Sequence, residues 1–194
     1  MNKVISAAYV VEILRRGGIG VLPTDTIYGV VGSALRPKTV ERIYRLRRRN
    51  QKKPLLVLIS SKFDVRKFGV RLDRRTSNIL NKLWPGKVTV ILPTSSKLEA
   101  KSLWYLHRGT YTVAFRLPAT SSLRTLLKKT GPLVAPSANR EGKPPARTVA
   151  QAKKYFGSRV DFYTGGRCGK LPSTLIRIER GRPVVLRQGA VRVK

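Results

Sequence analysis

Short apolar runs that stop at proline punctuate this 194-residue chain: Pro23, Pro93, Pro118 and Pro136 each close one. Proline has no N–H to give a sheet ladder, so a strand that meets one ends there and a loop begins. The first such run, 19–22, is short and β-branched, as buried strands are. Before it, Val4, Ile5, Ala8, Val11 and Ile13 recur at roughly helical spacing, and Gly17-Gly18 supplies a stop. The same reasoning predicts helices over 37–48, 74–83, 121–129 and 148–156. It predicts further strands over 55–60, 88–93, 112–117 and 133–136. Three strand-like runs close the chain, 160–163, 174–178 and 184–187, with no helix between them. Helices and strands that alternate early, then strands that meet directly, predict an α/β domain built on a mixed sheet. Ligands bind in such sheets at strand-end loops. That singles out PTDTIYG (23–29), RLPATSS (116–122) and APSANREGKPPA (135–146).

The length suits one domain with a sizeable core. No stretch approaches the roughly 20 apolar residues of a membrane span, so no membrane partner is expected. Glu12 interrupts the only candidate leader, and no cleavage site follows. The lone Cys168 cannot form an internal disulfide, which favours a cytoplasmic setting. One cysteine and one histidine, His107, cannot build an ordinary zinc site. Charge constrains the chemistry further: 41 Lys and Arg stand against 9 Asp and Glu, a formal +32 spread along the whole length. Such a surface attracts polyanions in a salt-dependent way, although a uniformly basic background would read the same. Paired-carboxylate catalysis is hard to assemble from nine scattered acids.

Three segments could carry chemistry. PTDTIYG gathers two hydroxyls, a carboxylate and a phenol, but capping by Thr24 or Asp25 with Tyr28 packed inward accounts for it equally well. The run 45–54, RLRRRNQKKP, holds six cations in nine positions. It reads either as a solvated face or, beside a strand, as a fork for a triphosphate. Ser137, Ala138 and Asn139 follow an apolar strand, where a hydroxyl and neighbouring N–H groups suit phosphate oxygens or cap a helix. Neither GxxxxGK[ST] nor GxGxxG occurs, and GGRCGK (165–170) has the wrong spacing. No GxSxG elbow is present either.

Taken together, seven stretches resemble the YrdC family, in the form of its stand-alone threonylcarbamoyl-AMP synthases (TsaC-like). They are PTDTIYG, IYRLRRRNQKKPLLVLI, WPGKVTVIL, TVAFRLP, GPLVAPSANREGKPPA, PSTLIRI and VVLRQGA, in family order over about residues 3 to 191. The resemblance implies a single YrdC-like domain over 1–194, without the C-terminal domain of longer members. It implies a twisted open mixed sheet with flanking helices around a basic central cavity. The activity implied is formation of L-threonylcarbamoyladenylate and pyrophosphate from L-threonine, bicarbonate and ATP. A threonylcarbamoyl transferase complex would then use the product to modify tRNA. By match to family motifs, Thr26, Arg116, Ala135 and Ser173 would hold threonine. Arg49, Lys53, Thr112, Ser137 and Arg187 would contact ATP, and Arg47, Arg49, Ser137 and Asn139 would do the catalytic work. Mg2+ would be held mainly through ATP, with no protein metal site. Four positions depart from the family: Arg47 and Asn50 in Arg47-Arg48-Arg49-Asn50, which replaces Lys-x-Arg-Pro, Pro145, which replaces a serine, and Leu58, which replaces a histidine of the longer members. The alternative is an RNA-binding or ribosome-assembly factor whose nucleotide pocket is vestigial; tRNA or other RNA contact is expected in either case.

Overall fold

A computed structural model describes residues 5–94 and 102–193. Val4 of the first helical pattern therefore lies outside the described residues. The helices are α1 (Ala7–Arg15), α2 (Pro37–Arg47), α3 (Arg74–Leu83), a single turn α4 (Trp104–His107), α5 (Ser121–Thr130) and α6 (Val149–Phe156). Local chemistry sets several of their ends. Ser6, Asp73 and Thr148 accept hydrogen bonds from the backbone N–H of Tyr9, Thr76 and Gln151, capping α1, α3 and α6. Pro37 opens α2, and Arg48 closes it in the left-handed region at φ 51°.

The strands are β1 (Ile19–Pro23), β2 (Tyr28–Ser33), β3 (Leu56–Leu58), β4 (Val88–Pro93), β5 (Thr112–Arg116), β6 (Leu133–Val134), β7 (Phe162–Tyr163), β8 (Thr174–Glu179) and β9 (Arg182–Arg187). They form one nine-stranded sheet in the order β7-β1-β2-β6-β3-β5-β4-β8-β9. The pairs β1/β7, β3/β5 and β4/β8 run parallel and the other neighbours antiparallel, so the sheet is mixed. Pro23 and Pro93 end their strands, whereas Pro118 and Pro136 stand two residues beyond theirs. After Pro23, however, the chain does not leave the sheet. It turns within four residues and returns as β2, paired Pro23 to Tyr28, a strand not foreseen because its glycines and Tyr28 read as loop. The 3₁₀ segment Lys62–Phe68 and the short α4 were also not foreseen.

Strand alternation divides the apolar residues between two faces. Val21, Val30, Val57, Val90, Phe115, Val134 and Ile176 point to one face and pack against α2, α3, α4, α6 and the 3₁₀ segment. On the opposite face, Leu22, Val31, Leu58, Leu133 and Ala135 meet Val10 and Leu14 of α1 with Leu123 and Leu127 of α5. The two helices are tied where Arg15 Nε donates to Lys129 O at 2.8 Å. They cover only part of this second face. Ala114, Thr89, Leu175 and Arg187 share it by register yet lie outside that apolar cluster, and Leu56 packs at its margin. An uncovered stretch of sheet face is where a ligand can lie. Phe115 is fully buried and its ring centroid stands 5.3 Å from that of Phe68. Phe115→Ala should therefore cost about 3–5 kcal/mol, measured as the loss of unfolding free energy in urea.

Candidate functional site

The uncovered face forms a cavity of about 210 Å³. Its floor is the row Leu56, Ala114, Thr89 and Leu175, and its walls are the strand-end segments around Thr24, Ser137, Ser173 and Arg187. Arg47, Arg49 and Arg187 bring three cations to the lining and no carboxylate joins them.

Arg47 is the best anchored of the three. It ends α2 at 2% exposure. Its Nε donates to Asn139 O at 3.0 Å, and Nη2 donates to Asn139 Oδ1 at 2.9 Å and Ser137 Oγ at 3.2 Å. Nη1 has no hydrogen-bond partner among the described residues. Burial, then repulsion from Arg49, lowers the guanidinium pKa to about 10. At neutral pH it is still a cation, partly desolvated and with one nitrogen uncommitted, which suits an anionic ligand. Arg49 donates through Nε to Lys53 O at 3.2 Å and through Nη2 to Pro54 O at 3.0 Å, so its fork lies along the cavity wall. Arg187 Nη2 donates to Ser173 O at 2.9 Å, and Ser173 Oγ shares a 2.7 Å hydrogen bond with Thr89 Oγ1. The segment between β7 and β8 passes over the β1–β2 turn. Tyr28 Oη donates to Gly166 O at 2.8 Å and accepts from Gly166 N at 3.1 Å. Gly169 lets that segment approach closely, since a Cβ there would stand 2.7 Å from Thr26 O.

Of the residues chosen from sequence, Arg47, Arg49, Ala135, Ser137, Ser173 and Arg187 line the cavity. The others stand behind it or beside it. Thr26 is buried in the β1–β2 turn with its hydroxyl 3.0 Å from that of Thr24. Arg116 is 1% exposed and paired with Asp25, which also accepts from Ala119 N at 3.1 Å. Its pKa is lowered by burial and restored in part by Asp25. Thr112 shares the floor's side of β5 with Ala114 but sits one strand period, about 7 Å, further out. Asn139 is committed elsewhere: Oδ1 accepts from Arg47, and Nδ2 donates to Arg140 O and Lys143 O. It orients Arg47 rather than facing the cavity. Lys53 pairs with Glu141 at 2.7 Å outside the lining. The segment 116–122, expected at the crevice, contributes nothing to the lining and instead braces Asp25 from behind. Thr89, Ala114 and Tyr28 line the cavity without having been chosen. Thr89 carried a signal, a polar residue inside an apolar strand, and Ala114 lies in phase with the chosen Thr112 and Arg116.

The Sua5_yciO_yrdC family model, described as telomere recombination, matches residues 12–189. A threonylcarbamoyl-AMP synthase of Nitrosococcus oceani is 33% identical over 161 residues, covering 82% of this chain and 84% of that protein. Among solved structures, Escherichia coli YciO superposes with TM-score 0.83 at 26% identity, over 97% of this chain and 91% of that one. Pyrococcus abyssi Sua5 complexed with L-threonine gives TM-score 0.82 at 28% identity over 96% of this chain. The chain spans 56% of that longer protein. No helix among the described residues is long and apolar enough to cross a membrane.

Arg47→Lys keeps the charge but replaces a planar fork with a point donor, which cannot satisfy Asn139 O, Asn139 Oδ1 and Ser137 Oγ together. The expected loss is about 2–3 kcal/mol of stability, read from urea unfolding.

Proposed function

The chain belongs to the Sua5_yciO_yrdC family, and from that premise we propose that it is a threonylcarbamoyl-AMP synthase, a nucleotidyltransferase using L-threonine, bicarbonate and ATP. The observation that carries this reading is the charged, buried Arg47 with a free Nη1, set beside Ser137 Oγ in a cavity that also holds Arg49 and Arg187. The threonine amine and bicarbonate condense to a carbamate with loss of water. A carbamate oxygen then bonds to the α-phosphorus of ATP as the bond to the β-phosphate oxygen breaks, and pyrophosphate leaves. The charge that moves in this step is on oxygen, so positioned cations and N–H donors lower the barrier without a strong protein base. Arg47 and Arg49 neutralise phosphate oxygens, and Ser137 Oγ adds a donor. Arg187 adds a further cation for ATP, and the Thr89–Ser173 hydroxyl pair gives the amino acid polar partners. Ala135 leaves room beside them.

Magnesium fits this site through the triphosphate alone, because the lining offers no carboxylate and no group of three or more His, Cys, Asp or Glu among the described residues could hold an ion. When bound it adds positive charge at the phosphate oxygens. The +32 chain is read as a cytoplasmic protein that also meets tRNA or other RNA through its surface, and whose product passes to a transferase complex that modifies tRNA.

Pyrophosphate release from ATP and magnesium should require both threonine and bicarbonate, tested by leaving out each in turn; release independent of threonine would overturn the reading. Arg49→Ala should lower kcat/KM about 100-fold while leaving RNA affinity nearly unchanged, because many other cations remain.

A further inference from the structure

Acids are scarce in this chain, nine against 41 bases, and one of them, Glu141, pairs with Lys53, the neighbour of the cavity-lining Pro54. Glu141 follows the Ser137-Ala138-Asn139 segment. Its Oε1 lies 2.7 Å from Lys53 Nζ, and its Oε2 accepts from Asn50 N. Its backbone N–H donates to Arg47 O at 2.9 Å. One residue thus joins the two segments that bear Arg49 and Ser137. A lysine ammonium and a backbone N–H at the end of a cation-rich turn are the groups a phosphate oxygen would seek. Here a carboxylate has taken them. The hydrogen bond from Lys53, then that from Asn50 N, holds the Glu141 carboxyl below the usual carboxylate range, so it is charged at neutral pH.

We propose that Glu141 is a built-in competitor for polyphosphate, whose carboxylate occupies Lys53 and Asn50 N–H until a triphosphate displaces it, thereby setting how tightly nucleotide is held. This deepens the synthase reading and rests on it for the identity of the nucleotide. Displacement does not require the segments to come apart, because the Glu141 N–H to Arg47 O bond and the Arg47 fork hold them while the carboxylate swings away. Lys53 is well placed for such an exchange, its side chain being 59% exposed. The function of the competition is release: a cavity with three cations and no opposing charge would hold pyrophosphate as firmly as it holds ATP.

Glu141→Gln is nearly the same shape and can still accept from Asn50 N, but it removes the charge. Calorimetric titration with inorganic tripolyphosphate, and separately with ATP, should show the variant binding both about tenfold more tightly than the native protein at fixed moderate salt. The gain should vanish when Glu141→Gln is combined with Lys53→Met, because the freed ammonium is its source. Unchanged or weaker binding by Glu141→Gln would overturn the proposal, since a merely structural clasp would loosen the site. A gain that survives Lys53→Met would overturn it too, by showing a general charge effect. Tripolyphosphate binding needs neither threonine nor turnover. A native protein that releases no pyrophosphate, with a tighter-binding Glu141→Gln variant, would therefore sink the synthase reading alone.

Discussion

The Arg47 guanidinium is the cross-link on which the cavity depends. It joins the last residue of α2 to the segment that follows β6, two parts of the chain 90 residues apart, through three hydrogen bonds to Asn139 and Ser137. Burying an arginine is unfavourable unless its donors are met. Two of its three nitrogens are met, and the third, Nη1, is buried without a hydrogen-bond partner among the described residues. That arrangement binds the fold together and presents a desolvated cation with one contact site unused. The stability of the fold and the shape of the cavity wall are thus coupled in one side chain, and Asn139, though it does not reach the cavity, belongs to the same unit.

Elsewhere the same economy holds. Two of the chain's few carboxylates pair with buried cations. Asp25 pairs with Arg116 beneath the β1–β2 turn and also receives Ala119 N–H, which fixes that turn at the edge of the cavity. Glu41 pairs with Arg108 at 2.5 Å, and the Arg108 guanidinium stacks on the Tyr44 ring at 4.1 Å. Tyr44 Oη in turn donates to Lys53 O at 2.9 Å, the carbonyl that also accepts from Arg49. Position in the cavity wall is therefore transmitted from α4 through α2 to the basic turn. The open stretch of sheet face follows from helix placement, since α1 and α5 cover the end near β1, β2 and β6 and leave β5, β4 and β8 bare.

Much of this was legible in the amino-acid order. The helix 74–83 and the strand 88–93 were read with their ends, and in the structure Asp73 caps the one and proline closes the other. The motif segments were legible as a set, and six of the residues taken from them meet at the cavity. The mixed sheet was implied by helices that alternate early and strands that meet late. β2 escaped because Gly29 and Gly32 mimic turn signals, while the structure uses Gly32 for close packing: a Cβ there would approach Thr39 Cγ2 at 2.6 Å.

By itself the sequence determined most of the helices and strands, that the surface is strongly basic, and which polar residues cluster beside strand ends. These depend on periodicity, composition and neighbours within a few residues. Only the tertiary structure decided the strand order, which brings β3, β5, β4 and β8 side by side so that residues from distant segments form one floor. It also decided which of the polar residues face the cavity and which serve the fold. The physical reason is that a guanidinium or an amide has several hydrogen-bonding positions, and how many remain for a ligand depends on partners that lie far away along the chain. Thus Arg47 keeps one nitrogen free, whereas Asn139 has its oxygen and its amide nitrogen engaged.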